Sequence, residues 1–170
     1  MEVAFYVTVF VGSILMLLWL RRGPFYVPTK RSYIPHIISL LALRPGEKMA
    51  DLGSGNGRVL IALAQSGAEA HGFEHNPFLV WYSRHSVRSA GLEKKAFTHR
   101  CNFWHQDLSS FDAVVVYGIP YIMPRLERKL RAELRPGSRV VSNAFPFPNW
   151  RPAATYKKLY LYRQDERRRS

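Results

Sequence analysis

Four glycine-spaced residues and one distant acid carry the chemistry that can be read first. The run Asp51-Leu52-Gly53-Ser54-Gly55-Asn56-Gly57-Arg58 sits between an apolar stretch and the residues Val59 to Ala64, which read as the start of a helix. Glycines at such a junction let the backbone approach a ligand where a Cβ would clash, and the helix start aims N–H groups at it. A dinucleotide loop needs its third glycine one place later than Gly57, where Arg58 stands. The spacing therefore points away from a pyrophosphate. Glu74 ends a second apolar stretch, Glu69 to Glu74, at about the separation expected for an acid that takes ribose hydroxyls. Asp51 opens the loop and supplies a further carboxylate. Loop and acid together predict a nucleoside ligand, against the simpler alternatives of a chance glycine-rich turn and a surface glutamate.

The elements that must position these groups alternate. Ser32 to Leu43 has apolar residues at helical spacing, with Ser32 as expected N-cap, and ends at Arg44-Pro45-Gly46. A first strand is expected over Lys48 to Asp51, a helix over Arg58 to Gln65 and a second strand ending at Glu74. Pro77 opens a helix that stops at Gly91, with proline early and glycine just past the end. Ala96 to Cys101 predicts a third strand. Asp112 to Tyr117 is a continuous apolar run, as a strand buried on both faces requires. Tyr121 to Leu134 reads as helix and Arg139 to Ala144 as a fifth strand, with a final strand within Thr155 to Tyr162. Strand–helix alternation implies a doubly wound, mostly parallel α/β sheet, with ligands at the C-terminal strand edge. Little chain follows Ala144, so the closing hairpin of such a sheet is expected to be shortened. The D-x-G-x-G-x-G loop resembles motif I of the class I methyltransferases, a Rossmann-like fold, and implies S-adenosylmethionine, which has no phosphate to cradle.

Composition sets the outer limits. With 170 residues, 47% of them hydrophobic, the chain suffices for one α/β domain. A lone cysteine, Cys101, excludes an intrachain disulfide, and the scattered histidines have no metal-site spacing. The formal charge of +13 is compatible with nucleic acid, an anionic membrane or acidic proteins. Val3 to Leu20 narrows this. These 18 residues carry no charge, and a helix of that length spans about 27 Å, close to a hydrocarbon core. Trp19 stands at one end, and Arg21-Arg22 follow. Glu2 before the stretch and the absence of a small-residue cleavage site argue against a signal peptide. The expected organisation is a transmembrane anchor over residues 1–22, a cofactor-binding domain over residues 23–162 and a charged tail over residues 163–170. The positive-inside rule places the domain on the cytoplasmic side of a bacterial inner membrane, or on the matrix side of a mitochondrial one.

Further runs sharpen the resemblance. Asn76-Pro77-Phe78-Leu79-Val80-Trp81-Tyr82-Ser83-Arg84 follows Glu74 directly, Tyr117-Gly118-Ile119-Pro120 caps the fourth strand, and Phe145-Pro146-Phe147-Pro148-Asn149-Trp150 leaves the fifth. With Tyr26-Val27-Pro28-Thr29, these runs resemble the small membrane-anchored protein-lysine methyltransferases. That family includes the enzymes acting on the ATP synthase c-subunit and the adenine nucleotide translocase. The chain departs from the family pattern at Asn56, where an acid is frequent, and at His75, where an aliphatic residue is frequent. The resemblance implies a cofactor site of Tyr26, Asp51, Gly53, Ser54, Gly55, Gly57, Glu74 and Asn76. It adds Asp107 for the adenine amino group, with Asp112 as a nearby competitor. It implies reaction-side groups at Tyr117 and at the backbone through Pro120.

Those groups suit the chemistry. A lysine arrives protonated, with a reference pKa of about 10.4, and must lose its proton before it can attack a methyl carbon. An apolar channel favours the neutral amine, and a hydroxyl or carbonyl can orient it. Phe25, Tyr26, Phe145, Phe147 and Trp150 are candidate walls, with plain core as the alternative. Trp81-Tyr82, on a helix, reads as core. The function expected is lysine methylation on a membrane protein. The alternatives are a methyltransferase for a lipid, quinone or RNA, and a membrane adaptor that binds cofactor without transfer. Nucleic acid is disfavoured as a partner because no aromatic-basic stacking stripe stands outside the cofactor fold. The sequence does not fix the oligomeric state.

Overall fold

A computed structural model describes residues 5–7, 9–13 and 27–165. Five strands run parallel: β1 (Lys48–Leu52), β2 (Glu69–Glu74), β3 (Ala96–Arg100), β4 (Ala113–Val116) and β5 (Arg139–Asn143). A two-stranded hairpin, β6 (Ala154–Tyr156) and β7 (Leu159–Arg163), closes the sheet in antiparallel fashion. The order is β3-β2-β1-β4-β5-β7-β6, the mixed Rossmann-like sheet of a class I methyltransferase. The winding direction reverses between β1 and β4, which opens a crevice at their C-terminal ends.

Both strands of the closing hairpin are present, and the shortening expected for it falls on β6, which is three residues long. The hairpin turn is two residues long, with Tyr156 paired to Leu159, and Lys157 takes φ +53°. Tight hairpin turns need positive φ, for which Asn or Gly is the usual sequence sign. Lys157-Lys158 gives no such sign. Strand β7 also runs through Arg163, and Gln164 is buried, its amide donating to Arg131 O at 2.9 Å. The ordered domain therefore extends beyond residue 162.

Alternation along the strands divides the core into two layers. Met49, Ala113, Val115 and Val141 face one side with Ile37, Leu41, Leu60 and Leu63. These last come from helices α1 (Ile34–Leu41) and α2 (Arg58–Gln65). Helix α3 (Pro77–Ser89) adds Val87 to this layer. Ala50, Val114, Val116 and Val140 face the other side, where helix α4 (Met123–Glu133) brings Leu126 and Leu130. Side chains i and i+1 of one strand thus serve opposite layers, as the period of two requires. Phe147, Trp150 and Tyr162 stack in this second layer, and Phe147 N–H donates to the Tyr162 hydroxyl at 2.9 Å. Phe147 and Trp150, expected as candidate channel walls, are core.

Helix α1 begins later than expected. A 3-10 turn over Arg31–Tyr33 precedes it, and no side chain caps its start, so Ser32 is not its N-cap. Its C-terminus ends at Ala42, φ +47°. The carbonyls of Leu41 and Ala42 accept from the buried guanidinium of Arg139 at 2.8 and 3.1 Å. Arg139 also pairs with Glu47 at 2.6 Å. Helix ends leave carbonyls without intrahelical donors, and here a strand supplies the donors.

The expected anchor, Val3 to Leu20, lies largely outside the described residues. The part described is helical, and Phe5 and Phe10 are exposed on it. Among the described residues, no helix is long and apolar enough to cross a membrane.

Candidate active site

The glycine loop takes its shape from backbone that only glycine adopts cheaply. Gly53, Gly55 and Gly57 have φ of +75°, +55° and +80°. Gly57 is also where α2 lies against α3: a Cβ there would meet Ser83 Oγ at 2.3 Å. The loop is pinned to β2, with Gly53 N–H and Ser54 N–H donating to Phe73 O at 2.9 and 3.2 Å. From this loop α2 begins without a side-chain cap, and its Leu60 N–H serves the Asp51 carboxylate.

Glu74 is held at the end of β2. One carboxylate oxygen accepts from Gly55 N–H at 2.9 Å and the other from Asn76 N–H at 2.8 Å. A carboxylate has about four acceptor positions, so two remain for a ligand. Asn76 caps α3, its side-chain oxygen accepting from Phe78 N–H at 2.9 Å and Leu79 N–H at 3.4 Å. Asp51 is buried at the end of β1, and one of its oxygens has no hydrogen-bond partner among the described residues. Burial, reinforced by the Glu74 carboxylate, pushes its pKa from 3.8 up to about 7, against a lowering by the Leu60 backbone N–H. The Ser54 hydroxyl is likewise buried and unpartnered among the described residues.

These groups line a cleft of about 380 Å³, within the size range of small-molecule sites. Asp51, Gly53, Ser54, Glu74, Asn76 and Tyr117 all line it. Gly55 and Gly57 lie behind this wall, buried, shaping the loop. Pro120 is exposed and outside the lining, although Ile119 and Ile122 on either side contribute to it. Tyr26 and Phe25 lie outside the described residues. Asp107 does not reach the cleft: it is fully exposed, and Ser109 N–H and hydroxyl both donate to it at 2.9 Å. These hydrogen bonds hold its carboxyl below the usual carboxylate range. Asp112 lies at the opposite end of the sheet, accepting from Lys48 N–H at 2.8 Å at the start of β1.

The loop after β3 contributes Asn102, Phe103 and Trp104 instead, none of which stands out in the sequence. Asn102 caps the 3-10 turn Phe103–His105 by accepting from Trp104 N–H, and Arg125 stacks over Trp104 at 4.2 Å. An Asn just ahead of Phe103 is the one available sign of that turn. A second wall is Val27-Pro28-Thr29, from the run Tyr26 to Thr29 that carries part of the resemblance, although of that run only Tyr26 was expected in the site. Arg58 donates to Thr29 O at 3.2 Å, and Asn143 donates to the Thr29 hydroxyl at 3.2 Å. Arg58, the residue that replaces the dinucleotide glycine, thus ties the N-terminal segment over the loop.

The donor set fits a ligand that is nucleoside at one end and cationic at the other. Glu74 keeps open acceptor positions for hydroxyls. The unpartnered Asp51 oxygen suits a cation, which would favour the ionised carboxyl that burial disfavours.

Comparisons with known proteins agree with this geometry. Residues 51–154 match the ANTKMT methyltransferase domain. The ATP synthase c-subunit lysine N-methyltransferase of Mus musculus is 36% identical over 89% of this chain, which spans 65% of that protein's length. The Xenopus laevis protein of the same name is 40% identical over 84% of this chain and 67% of its own. The adenine nucleotide translocase lysine N-methyltransferase of Mus musculus is 42% identical over 76% of this chain and 56% of its own. Among solved structures, an RNA methyltransferase from Salinibacter ruber in complex with S-adenosyl-L-homocysteine superposes with a TM-score of 0.79. It is 29% identical and covers 82% of this chain and 95% of its own. The family match covers the glycine loop, Asp51 and Glu74, and the chain belongs to the family of the ANTKMT methyltransferase domain.

Proposed function

We propose that the protein transfers a methyl group from S-adenosylmethionine to a lysine side chain of a membrane protein. The observation that carries this reading is one cleft that joins the acid pair Asp51 and Glu74 to an apolar, aromatic opposite wall. Bound there, S-adenosylmethionine supplies a methyl group on a sulfonium. Glu74 takes the ribose hydroxyls, Asp51 the cationic end, and Gly53, Ser54, Gly55 and Gly57 keep the backbone close. Asn76 fixes the turn between Glu74 and α3. Asn102, rather than Asp107, is the polar group offered from the loop after β3.

The acceptor side is built from Tyr117, Ile119, Ile122, Phe103 and Trp104. Such walls disfavour an ammonium and favour the neutral amine that can attack. We assign the Tyr117 hydroxyl to orient that amine, and Pro120 to shape the turn that carries Ile119 and Ile122. In the overall reaction a nitrogen–carbon bond forms as the sulfur–carbon bond breaks, and the ammonium proton leaves to solvent. The relatives named for the ATP synthase c-subunit and the translocase support a membrane-protein lysine. The apolar segment Val3–Leu20 supports anchoring, with Arg21-Arg22 placing the domain on the cytoplasmic or matrix side.

A second reading, RNA methylation, is favoured by the Salinibacter ruber structure and by the net charge of +13. Incubating the protein with radiolabelled S-adenosylmethionine and membranes separates the two. Label on lysine of a membrane protein is the expected result. Label in RNA or lipid overturns it, and cofactor binding without any label would reduce the protein to an adaptor.

A further inference from the structure

Helix α3 has two apolar faces, and only one is used by the core. Val80, Ser83 and Val87 point inward and are buried. On the outside, Phe78 is 81% exposed, Trp81 68% and Tyr82 50%, and His85 stacks against Trp81. The spacing 78, 81, 82, 85 is that of a single helix face. Isolated exposed apolar residues are ordinary, whereas an aromatic stripe along one face is not.

The position of this stripe is equally selective. From residue 27 onward, the exposed large hydrophobic residues among those described are Val27, Phe78, Trp81, Tyr82 and Tyr121. Val27 lines the cleft, Phe78 lies between the lining residues Asn76 and Leu79, and Tyr121 lies between Ile119 and Ile122. Exposed apolar surface is therefore concentrated on the segments that form the cleft. The exposed charges carried by these segments beyond the cleft's own Glu74 are cationic, with the Arg84 guanidinium donating to Thr98 O. Arg84 and Arg88 lie on α3, which carries no acid, and Lys30 and Arg31 follow Val27, all four exposed. Phe, Trp and Tyr interleaved with Arg is the composition of a surface that sits at a lipid headgroup boundary. The net charge of +13 complements anionic lipid.

We infer that the face formed by Phe78, Trp81 and Tyr82, together with Val27 and Tyr121, is a bilayer-contact surface that seats the cleft against an anionic membrane. The inference deepens the proposed function and rests on it for its purpose, because it would bring the cleft to lysines at the headgroup level. It is distinct from anchoring by Val3–Leu20, which tethers the domain without orienting it.

The test uses the full chain, without cofactor, reconstituted into phosphatidylcholine vesicles with and without phosphatidylglycerol. The difference between wild-type and Trp81→Phe fluorescence isolates Trp81 from Trp19, Trp104 and Trp150. The expected result is that brominated acyl chains remove most of the Trp81 emission when phosphatidylglycerol is present, and that aqueous acrylamide does not. Trp81 emission quenched by acrylamide and indifferent to bromine would overturn the inference. So would protection from acrylamide that requires an added membrane protein rather than lipid, which would make the stripe a protein-docking face. S-adenosylhomocysteine affinity, measured by calorimetry on both proteins, should be equal and shows that the variant is folded. Failure of lysine labelling with bromine quenching intact would sink the proposed function and leave the surface standing.

Discussion

Replacing Asp51 by Asn removes a carboxyl that the fold keeps protonated up to neutral pH. The group is buried, burial is the leading cause of its displacement, and the neighbouring Glu74 carboxylate adds to it. Below pH 3.8 the carboxyl is protonated in both folded and unfolded chains, so it contributes no pH dependence. Between 3.8 and about 7 the unfolded chain has lost this proton while the folded chain retains it. The folded state then binds more protons, and stability falls as pH rises through that window. At about 1.4 kcal/mol per pH unit, the gap from 3.8 to about 7 corresponds to a loss on the order of 4 kcal/mol, complete above the folded pKa. Asp51→Asn keeps the shape and deletes this titration. Urea unfolding of both proteins in detergent from pH 4 to pH 8 should therefore show the variant gaining steadily on the wild type, whatever their relative stability at pH 4. Calorimetry of S-adenosylhomocysteine in buffers of different ionisation enthalpy adds a second readout. At pH 6 the wild type should release a proton on binding, because a cation beside Asp51 favours its ionised form, and the variant should not. Parallel pH profiles for the two proteins would refute the reasoning, since Asp51 would then titrate alike in folded and unfolded chains.

Four other perturbations follow from the geometry. Glu74→Gln should weaken S-adenosylhomocysteine binding by about 2–3 kcal/mol in calorimetry, the scale of lost charge-assisted hydrogen bonds; unchanged affinity in a folded variant would remove Glu74 from the site. Gly57→Ala should lower the unfolding free energy by about 1–3 kcal/mol, because its φ of +80° disfavours a side chain and the new Cβ would meet Ser83 Oγ. Arg139→Ala should cost about 3–5 kcal/mol in urea unfolding, the scale for removing one partner of a buried pair, because two helix-end carbonyls lose their donor and the half-buried Glu47 keeps only the Arg44 N–H. Tyr117→Phe should lower kcat for lysine methylation about tenfold or more while leaving S-adenosylhomocysteine affinity unchanged; an equal kcat would show that the hydroxyl does not orient the amine.

Much of the cofactor half of the site is legible in the sequence because backbone geometry restricts it to few residue types. Positive φ at Gly53, Gly55 and Gly57 and an acid at the end of β2 leave a fixed spacing in the chain. The acceptor half is not, because an aromatic residue says nothing of the surface it faces. Phe147 and Trp150 pack on Tyr162, while Phe103 and Trp104, in an undistinguished loop, line the cleft. Trp81 and Tyr82 depart from the rule that apolar residues on a helix are core. Helix α3 instead buries small residues, with Ser83 bonded to the Thr98 hydroxyl at 2.9 Å and close under Gly57. Asp107 misses the site for a reason equally hidden in the sequence: a 3-10 turn intervenes, and Asn102 occupies the cleft side. The hairpin leaves little trace because its turn is lysine and its first strand only Ala154–Tyr156.

The bonds that fasten helix α1 and the Thr29 segment reach far along the chain, and this imposes an order on biosynthesis. Arg139 satisfies carbonyls 98 and 97 residues before it, and Asn143 reaches Thr29 across 114 residues. A ribosome adding roughly 5–20 residues per second delivers β5 several seconds after α1 has emerged. During that interval the strands β1 to β4 and their helices can assemble, while α1 lacks its terminal donor and the Thr29 wall lacks one of its two ties. Those early residues thus lock only once β5 is present, ahead of the hairpin that pairs with β5. A chain stopped before Arg139 would hold the glycine loop and Glu74 but lack the donors that close the end of α1 and the second tie to Thr29.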